Sequence, residues 1–316
     1  MLRLTGRVLT SFAYDGNLNL STITNALSQV TTISARDSAG RPTTVQDPNG
    51  INTVLTYDSN GWLDTATRAS GTGLAAVYDF DYDFNGNLTK VTLPNGGFVE
   101  YSYDNAQRLT GIEDSLGNTV AYTLNNAGNA TQVDVSNTTP TVTYAHDQTF
   151  DELMRLLTSV GAASQTATYA YDKNSNLTSY TDPETNVTAF TYDALTRPAT
   201  STNALSGVTT LGYNGLDNVT SVTDQRSHST TYTYNAFGDV TGETSPDRGT
   251  LSYVVDKAGN VTQRTDARSV VTNFTYDALN RPLTVAYPSD TSLNATLTYD
   301  ASSGCGTAYK GRLCTV

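Results

Sequence analysis

An aromatic residue followed by Asp or Asn returns down the whole chain at near-constant spacing, and this period constrains the fold more than any other feature. The anchors are Tyr14, Arg36, Tyr57, Tyr82, Tyr103, Leu124, Phe150, Tyr171, Tyr192, Tyr213, Tyr234, Val255, Tyr276 and Tyr299, with Arg36, Leu124 and Val255 standing in for an aromatic. Nine of the thirteen gaps are 21 residues, and the others are 22, 23, 25 and 26. Each anchor is followed by Asp or Asn, from Asp15 to Asp300. A fixed period of this length means one small structural unit stacked many times. A residue type that recurs in every unit belongs to a scaffold before it belongs to a unique site.

The unit reads as two short strands and two turns. In Phe190-Thr191-Tyr192-Asp193 and Phe274-Thr275-Tyr276-Asp277 the residue two before the anchor is apolar or aromatic, as it is in twelve of the fourteen units. A period of two puts that residue and the anchor on one face of a strand, with the intervening residue on the other. The anchors and their partners therefore form a continuous apolar ladder. The Asp or Asn after the anchor is a turn former, and Gly40, Gly61, Gly86, Gly128, Gly238 and Gly259 follow four residues past it. A second turn falls about eleven residues past the anchor, as in Asp47-Pro48-Asn49-Gly50. In the second strand Leu88 and Val91 are three apart, which breaks strict alternation and leaves a bulge open.

A doubled period overlies the first. Five residues past the anchor the chain reads Asn87, Arg108, Asn129, Arg155, Asn176, Arg197 and Asn218, then Asp239 where Arg is due, then Asn260 and Arg281. Alternate hairpins must therefore sit in different surroundings, with the arginines solvated or paired with the Asp of a neighbouring unit.

Composition agrees with β-structure. Tyr (20) far outnumbers Phe (8), Met (2) and Trp (1), and Tyr and Thr suit a pleated, half-buried surface. The net charge of −12 argues against binding nucleic acid, which needs Lys and Arg to neutralise phosphate. It argues equally against attraction to anionic membrane surfaces. No apolar stretch approaches the roughly 20 residues that span a bilayer, and Met1 to Gly6 carries no signal-peptide apolar segment. The period runs from about residue 12 to the end, so the expectation is one repeat domain over 1–316 that stops partway through a unit. The expectation is also that it is part of a longer protein whose export signal lies elsewhere.

Few motifs stand outside the repeat. Asp81, Asp83, Asn85 and Asn87 have the alternate spacing of a calcium loop, with Gly86 at its sixth position. The twelfth position is Thr92 instead of Glu, and the repeat itself generates Asp83, Gly86 and Asn87. Cys305 and Cys314 bracket an insertion and would close a disulfide in an oxidising compartment, with free thiols the alternative. His146 and His228 are too isolated for a metal or catalytic site. No cofactor motif is present.

The Tyr-Asp-x-x-Gly-Arg/Asn-Leu-Thr pattern, seen in Tyr103-Asp104-Asn105-Ala106-Gln107-Arg108-Leu109-Thr110 and Tyr171-Asp172-Lys173-Asn174-Ser175-Asn176-Leu177-Thr178, resembles the Rhs/YD-repeat family. The resemblance covers about residues 12–316. It implies an all-β fold, a repetitive antiparallel hairpin strip of about fourteen units that spirals like the wall of a shell. It also implies a secreted or surface bacterial protein: a polymorphic toxin, a wall-associated protein or a toxin-complex component. The repeats of such proteins enclose or display a C-terminal effector.

Three functions follow as expectations. The first is a structural scaffold whose partners are further repeats and the effector of the same polypeptide. The second is a carbohydrate-binding or adhesion module, using rows of Tyr and Asn/Asp. The third is a glycan-processing enzyme, which needs acids that break the repeat and cluster. Glu100, Glu113, Glu152, Glu184 and Glu243 break it but are scattered through different units.

Overall fold

A computed structural model describes residues 10–137, 142–301 and 310–315. Among them lie twenty-nine β-strands, most of five to seven residues, and one 3-10 turn at Thr291–Leu293. No α-helix occurs among the described residues, and no helix is long and apolar enough to cross a membrane. The all-β hairpin strip is thus the observed architecture, with twenty-seven strands in one antiparallel sheet and Thr298–Tyr299 paired separately with Leu313–Thr315.

The chain divides into two compact units. The first comprises residues 1–53 and 209–316, the second residues 54–208. In the first unit, strands pair in succession from Ser11–Tyr14 to Pro42–Gln46, and again from Val208–Tyr213 to Ala295–Thr296. In the second, they do so from Leu63–Arg68 to Pro198–Thr202.

Each hairpin has the same local design. Thr191 pairs with Thr200 but Tyr192 with Pro198, so the second strand carries one extra residue beside the anchor. The same shift recurs at Tyr82, Tyr171, Tyr234 and Tyr276. That bulge resolves the broken alternation: Tyr82 pairs with Leu88 and Phe80 with Val91, so both apolar residues face the anchor side. The residues just before the anchors face the other way and, Gly212 apart, are exposed, and pairs such as Thr191–Thr200 and Thr275–Thr284 bond through their hydroxyls at 2.6 and 2.7 Å.

The turn after the anchor is closed by Asp. In Asp83–Asn87 the Asp83 N–H donates to the Asn87 carbonyl at 2.9 Å, and Asp83 Oδ1 accepts the N–H groups of Asn85 and Asn87, each at 2.9 Å. Position four has positive φ whatever the residue: 89° at Gly86, 63° at Gln107, 66° at Met154 and 63° at Thr196. Glycine is thus the unstrained choice that several units forgo.

The apolar ladder is shallower than the sequence suggests. Among the described residues only Ala167, Ser245 and Thr272 are buried, and of these only Thr272 fully. Tyr57, Tyr82, Tyr103, Tyr171, Tyr192, Tyr213, Tyr234, Tyr276 and Tyr299 are half-buried, and Tyr14 is exposed. Each ring is shielded by neighbours on adjacent strands, so polar contacts carry a larger share of the cohesion than in a thick core.

Candidate functional site: contacts between repeats

The anchor tyrosines do more than fill space. The hydroxyl of Tyr103 donates to the Leu88 carbonyl at 2.8 Å, Tyr192 to Leu177 at 2.9 Å, Tyr234 to Val219 at 2.6 Å and Tyr276 to Val261 at 2.9 Å. Every acceptor lies fifteen residues back, at the start of the preceding unit's second strand. Each acceptor is the residue registered opposite the preceding anchor, beside the bulge. Arg36, standing in for an anchor, reaches the equivalent Leu20 carbonyl with its guanidinium. In the sequence the only sign of this role is the excess of Tyr over Phe.

The Arg/Asn alternation is two ways of closing one turn. The outer oxygen of the turn Asp accepts from Asn Nδ2 at Asp83–Asn87 (2.8 Å) and Asp172–Asn176 (2.9 Å). It accepts from Arg Nε at Asp104–Arg108 (2.7 Å), Asp151–Arg155 (2.7 Å) and Asp193–Arg197 (2.8 Å). The arginines are therefore paired within their own turn, and the solvated alternative does not hold. They also reach forward: Arg108 donates to the Asn125 carbonyl at 2.8 Å and Arg155 to that of Asp172 at 2.9 Å. Arg155 and Arg281 stack over the next anchor, Tyr171 at 4.7 Å and Tyr299 at 4.3 Å. Trp62 takes the arginine place in its unit and packs on Tyr82 at 5.4 Å.

These bonds hold the turn carboxyls below the usual Asp range. The side chain of Asn87 lowers Asp83, and that of Arg108 lowers Asp104. At Asp151 the Arg155 backbone N–H contributes most. A carboxylate that accepts several N–H bonds resists protonation.

Within the first unit, residues far apart in sequence meet. Asp300 accepts from Arg281 Nη2 at 2.7 Å and from Gln29 Nε2 at 3.1 Å. Lys310 donates its N–H to Asn49 Oδ1 at 2.9 Å and its Nζ to the Pro48 carbonyl at 2.5 Å.

The other sequence candidates separate. Asp83 spends both oxygens on its turn, and Asp81 lines a cavity with Asp58, Asp64, Trp62 and Phe84. No group of three or more His, Cys, Asp or Glu suited to a metal occurs among the described residues. His146 Nε2 lies 2.6 Å from Ser159 Oγ, and His228 sits 3.5 Å from Asp224. Cys305 lies outside the described residues, while Cys314 is on the strand Leu313–Thr315. Glu100 pairs with Lys90 at 2.7 Å and faces Glu113 across the strands. Glu243 and Asp239, in contrast, line one cavity.

A strip whose recurring residues are spent on joining hairpin to hairpin is a structural repeat scaffold. Residues 1–149 match the family described as Teneurin YD-shell, and residues 171–209, 213–250 and 255–292 match the RHS repeat. The chain belongs to the Rhs/YD-repeat family. No curated protein matches it in sequence. Among solved structures it is similar to TcdB2-TccC3, with a TM-score of 0.52 and 12% identity over 98% of this chain and 23% of that one. It is also similar to TcdB2-TccC3-Cdc42 (TM-score 0.51, 12% identity, 94% and 22% covered). A third likeness is to TcdB2-TccC3 without its hypervariable C-terminal region (0.51, 14%, 93% and 21%). The chain spans less than a quarter of those chains, and at this identity the likeness concerns the fold.

Proposed function

We propose that this chain is one continuous repeat domain forming part of the wall of a shell or stalk, which encloses or displays an effector segment of the same secreted or surface polypeptide. The supporting observation is the use of side chains: the anchor hydroxyls, turn carboxylates and arginines are committed to holding units together. Such a wall is rigid without a thick core, and the reading is non-enzymatic because the recurring polar side chains serve the lattice. Residues Cys305 and Cys314 would add a disulfide clamp on the last hairpin. The carbohydrate-binding alternative gains nothing from the anchor rings, since Tyr103, Tyr192, Tyr234 and Tyr276 are half-buried with their hydroxyls engaged.

The test is protease protection on the full-length protein. An enclosed segment survives trypsin while the repeats remain folded and is cut once urea opens them. Cleavage at the rate of the isolated segment would refute enclosure, and electron microscopy showing a compact α/β body would refute the scaffold itself.

A further inference from the structure

Two acids that break the repeat four residues apart on one hairpin, Asp239 and Glu243, open onto one cavity of about 360 Å³ with Tyr232, Tyr253, Val255 and Val261. It lies among the strands Ser229–Tyr234, Val240–Ser245, Gly249–Val255 and Val261–Thr265.

Three departures from the repeat coincide here. Asp239 holds the place that Arg155, Arg197 and Arg281 hold in their units. Val255 holds the place of the anchors Tyr171 and Tyr299. Glu243 holds the place of Val91, Val133 and Val285. Elsewhere the equivalent space is filled from within: the guanidinium of Arg155 lies 4.7 Å over Tyr171 and that of Arg281 4.3 Å over Tyr299, each tied to its turn Asp. Replacing Arg by Asp and Tyr by Val removes that filling and exchanges a cation for anions. The volume falls in the range of small-molecule sites, which are mainly apolar with a few convergent polar groups.

The polar groups are oriented by their surroundings. Asn235 Nδ2 donates to Asp239 Oδ2 at 2.8 Å. The Glu243 side chain is only 11% exposed, and it already attracts one guanidinium, that of Arg248, whose side chain is 64% exposed. Carboxylates beside tyrosine rings favour a flat cation through charge-assisted hydrogen bonds and stacking.

We propose that this cavity binds a guanidinium group, an arginine side chain presented on an extended peptide segment, at the lattice point where other units supply their own arginine. The site does not depend on whether the repeats enclose an effector, so either idea can fail alone.

The experiment titrates the whole chain with N-acetyl-arginine methylamide and with its neutral isostere N-acetyl-citrulline methylamide, followed by calorimetry. Saturable binding of the arginine probe is expected, with the citrulline probe about tenfold weaker or more. Asp239→Asn should weaken the arginine probe by about tenfold. Asp239→Arg with Val255→Tyr, which restores the repeat's own filling, should abolish binding. No saturable arginine binding, equal affinity for citrulline, or unchanged binding in Asp239→Asn overturns the proposal. Should the double variant not fold, Asp239→Asn decides alone, its fold checked by circular dichroism.

Discussion

Replacing Arg281 by Met should cost more than any other single change to the polar lattice. Its Nε lies 2.6 Å from Asp277 and its Nη2 2.7 Å from Asp300, while its guanidinium stacks on Tyr299. The side chains of Arg281, Asp277 and Asp300 are 20%, 10% and 16% exposed. Exposed pairs contribute about 0–1 kcal/mol, and breaking a buried pair costs about 3–5 kcal/mol. Most of these three groups is covered, yet the sheet is shallow and water is close, so a cost of about 2–3 kcal/mol is expected at pH 7. Met keeps the apolar stem but gives up the two ion pairs and the guanidinium–ring stack together. The penalty must depend on pH. Burial raises the Asp277 carboxyl, but the backbone N–H and guanidinium of Arg281 outweigh it, leaving it lowered. The Arg281 side chain is the main cause that lowers Asp300. Carboxyls lowered in the folded state contribute stability above their unfolded pKa of about 3.9 and lose it as pH falls through the folded values. The variant has less of that stability to lose, so the gap between the two proteins should narrow below about pH 3. Urea unfolding followed by tyrosine fluorescence gives the global difference, and hydrogen exchange at Gln29 and Tyr299 reads the local one. A penalty under about 0.5 kcal/mol, or one identical at pH 7 and pH 3, would refute the reasoning.

Tyr276→Phe should cost about 1 kcal/mol through the lost bond to the Val261 carbonyl, with exchange of nearby amides accelerated; no change in urea midpoint would show that water replaces it fully. Thr196→Gly should stabilise by about 0.5–1 kcal/mol, because Thr196 sits at a φ of 63° that costs an L-residue about 1–2 kcal/mol. Gly86→Ala should do the opposite, since φ is 89° and the new Cβ would lie 2.9 Å from the Trp62 ring; a lowered thermal midpoint for Thr196→Gly refutes the first expectation, and a raised one for Gly86→Ala the second. The lowered carboxyls of Asp83, Asp104, Asp172 and Asp193 contribute stability above about pH 4 and lose it as pH falls through their folded values. The wild-type urea midpoint should therefore be flat from pH 8 to about 5 and fall steeply below about 4; a fall confined to pH 5–7 would assign acid sensitivity to other groups.

The period made the hairpins, the turns and the face of each anchor legible, because those follow from spacing within one unit. What spacing could not show is what a residue meets in the next unit. On an antiparallel strip, positions 21 residues apart become near neighbours, so the bond from Tyr276 to Val261 and the stack of Arg281 on Tyr299 appear only once strands are paired. Of the five non-consensus acids, only Glu100 and Glu113 come to face one another across paired strands. Glu243 shares its cavity with Asp239, one bulge away on its own hairpin, and with Val261 two strands further on. The sequence marked Asp239 as an arginine missing from its register, and Val255 as an anchor without a ring. Taken singly, each is a tolerated lapse in a repeat. Placed against one another, they remove both halves of one stacking pair, and that is the arrangement expected if the space is kept for something the chain does not itself supply there.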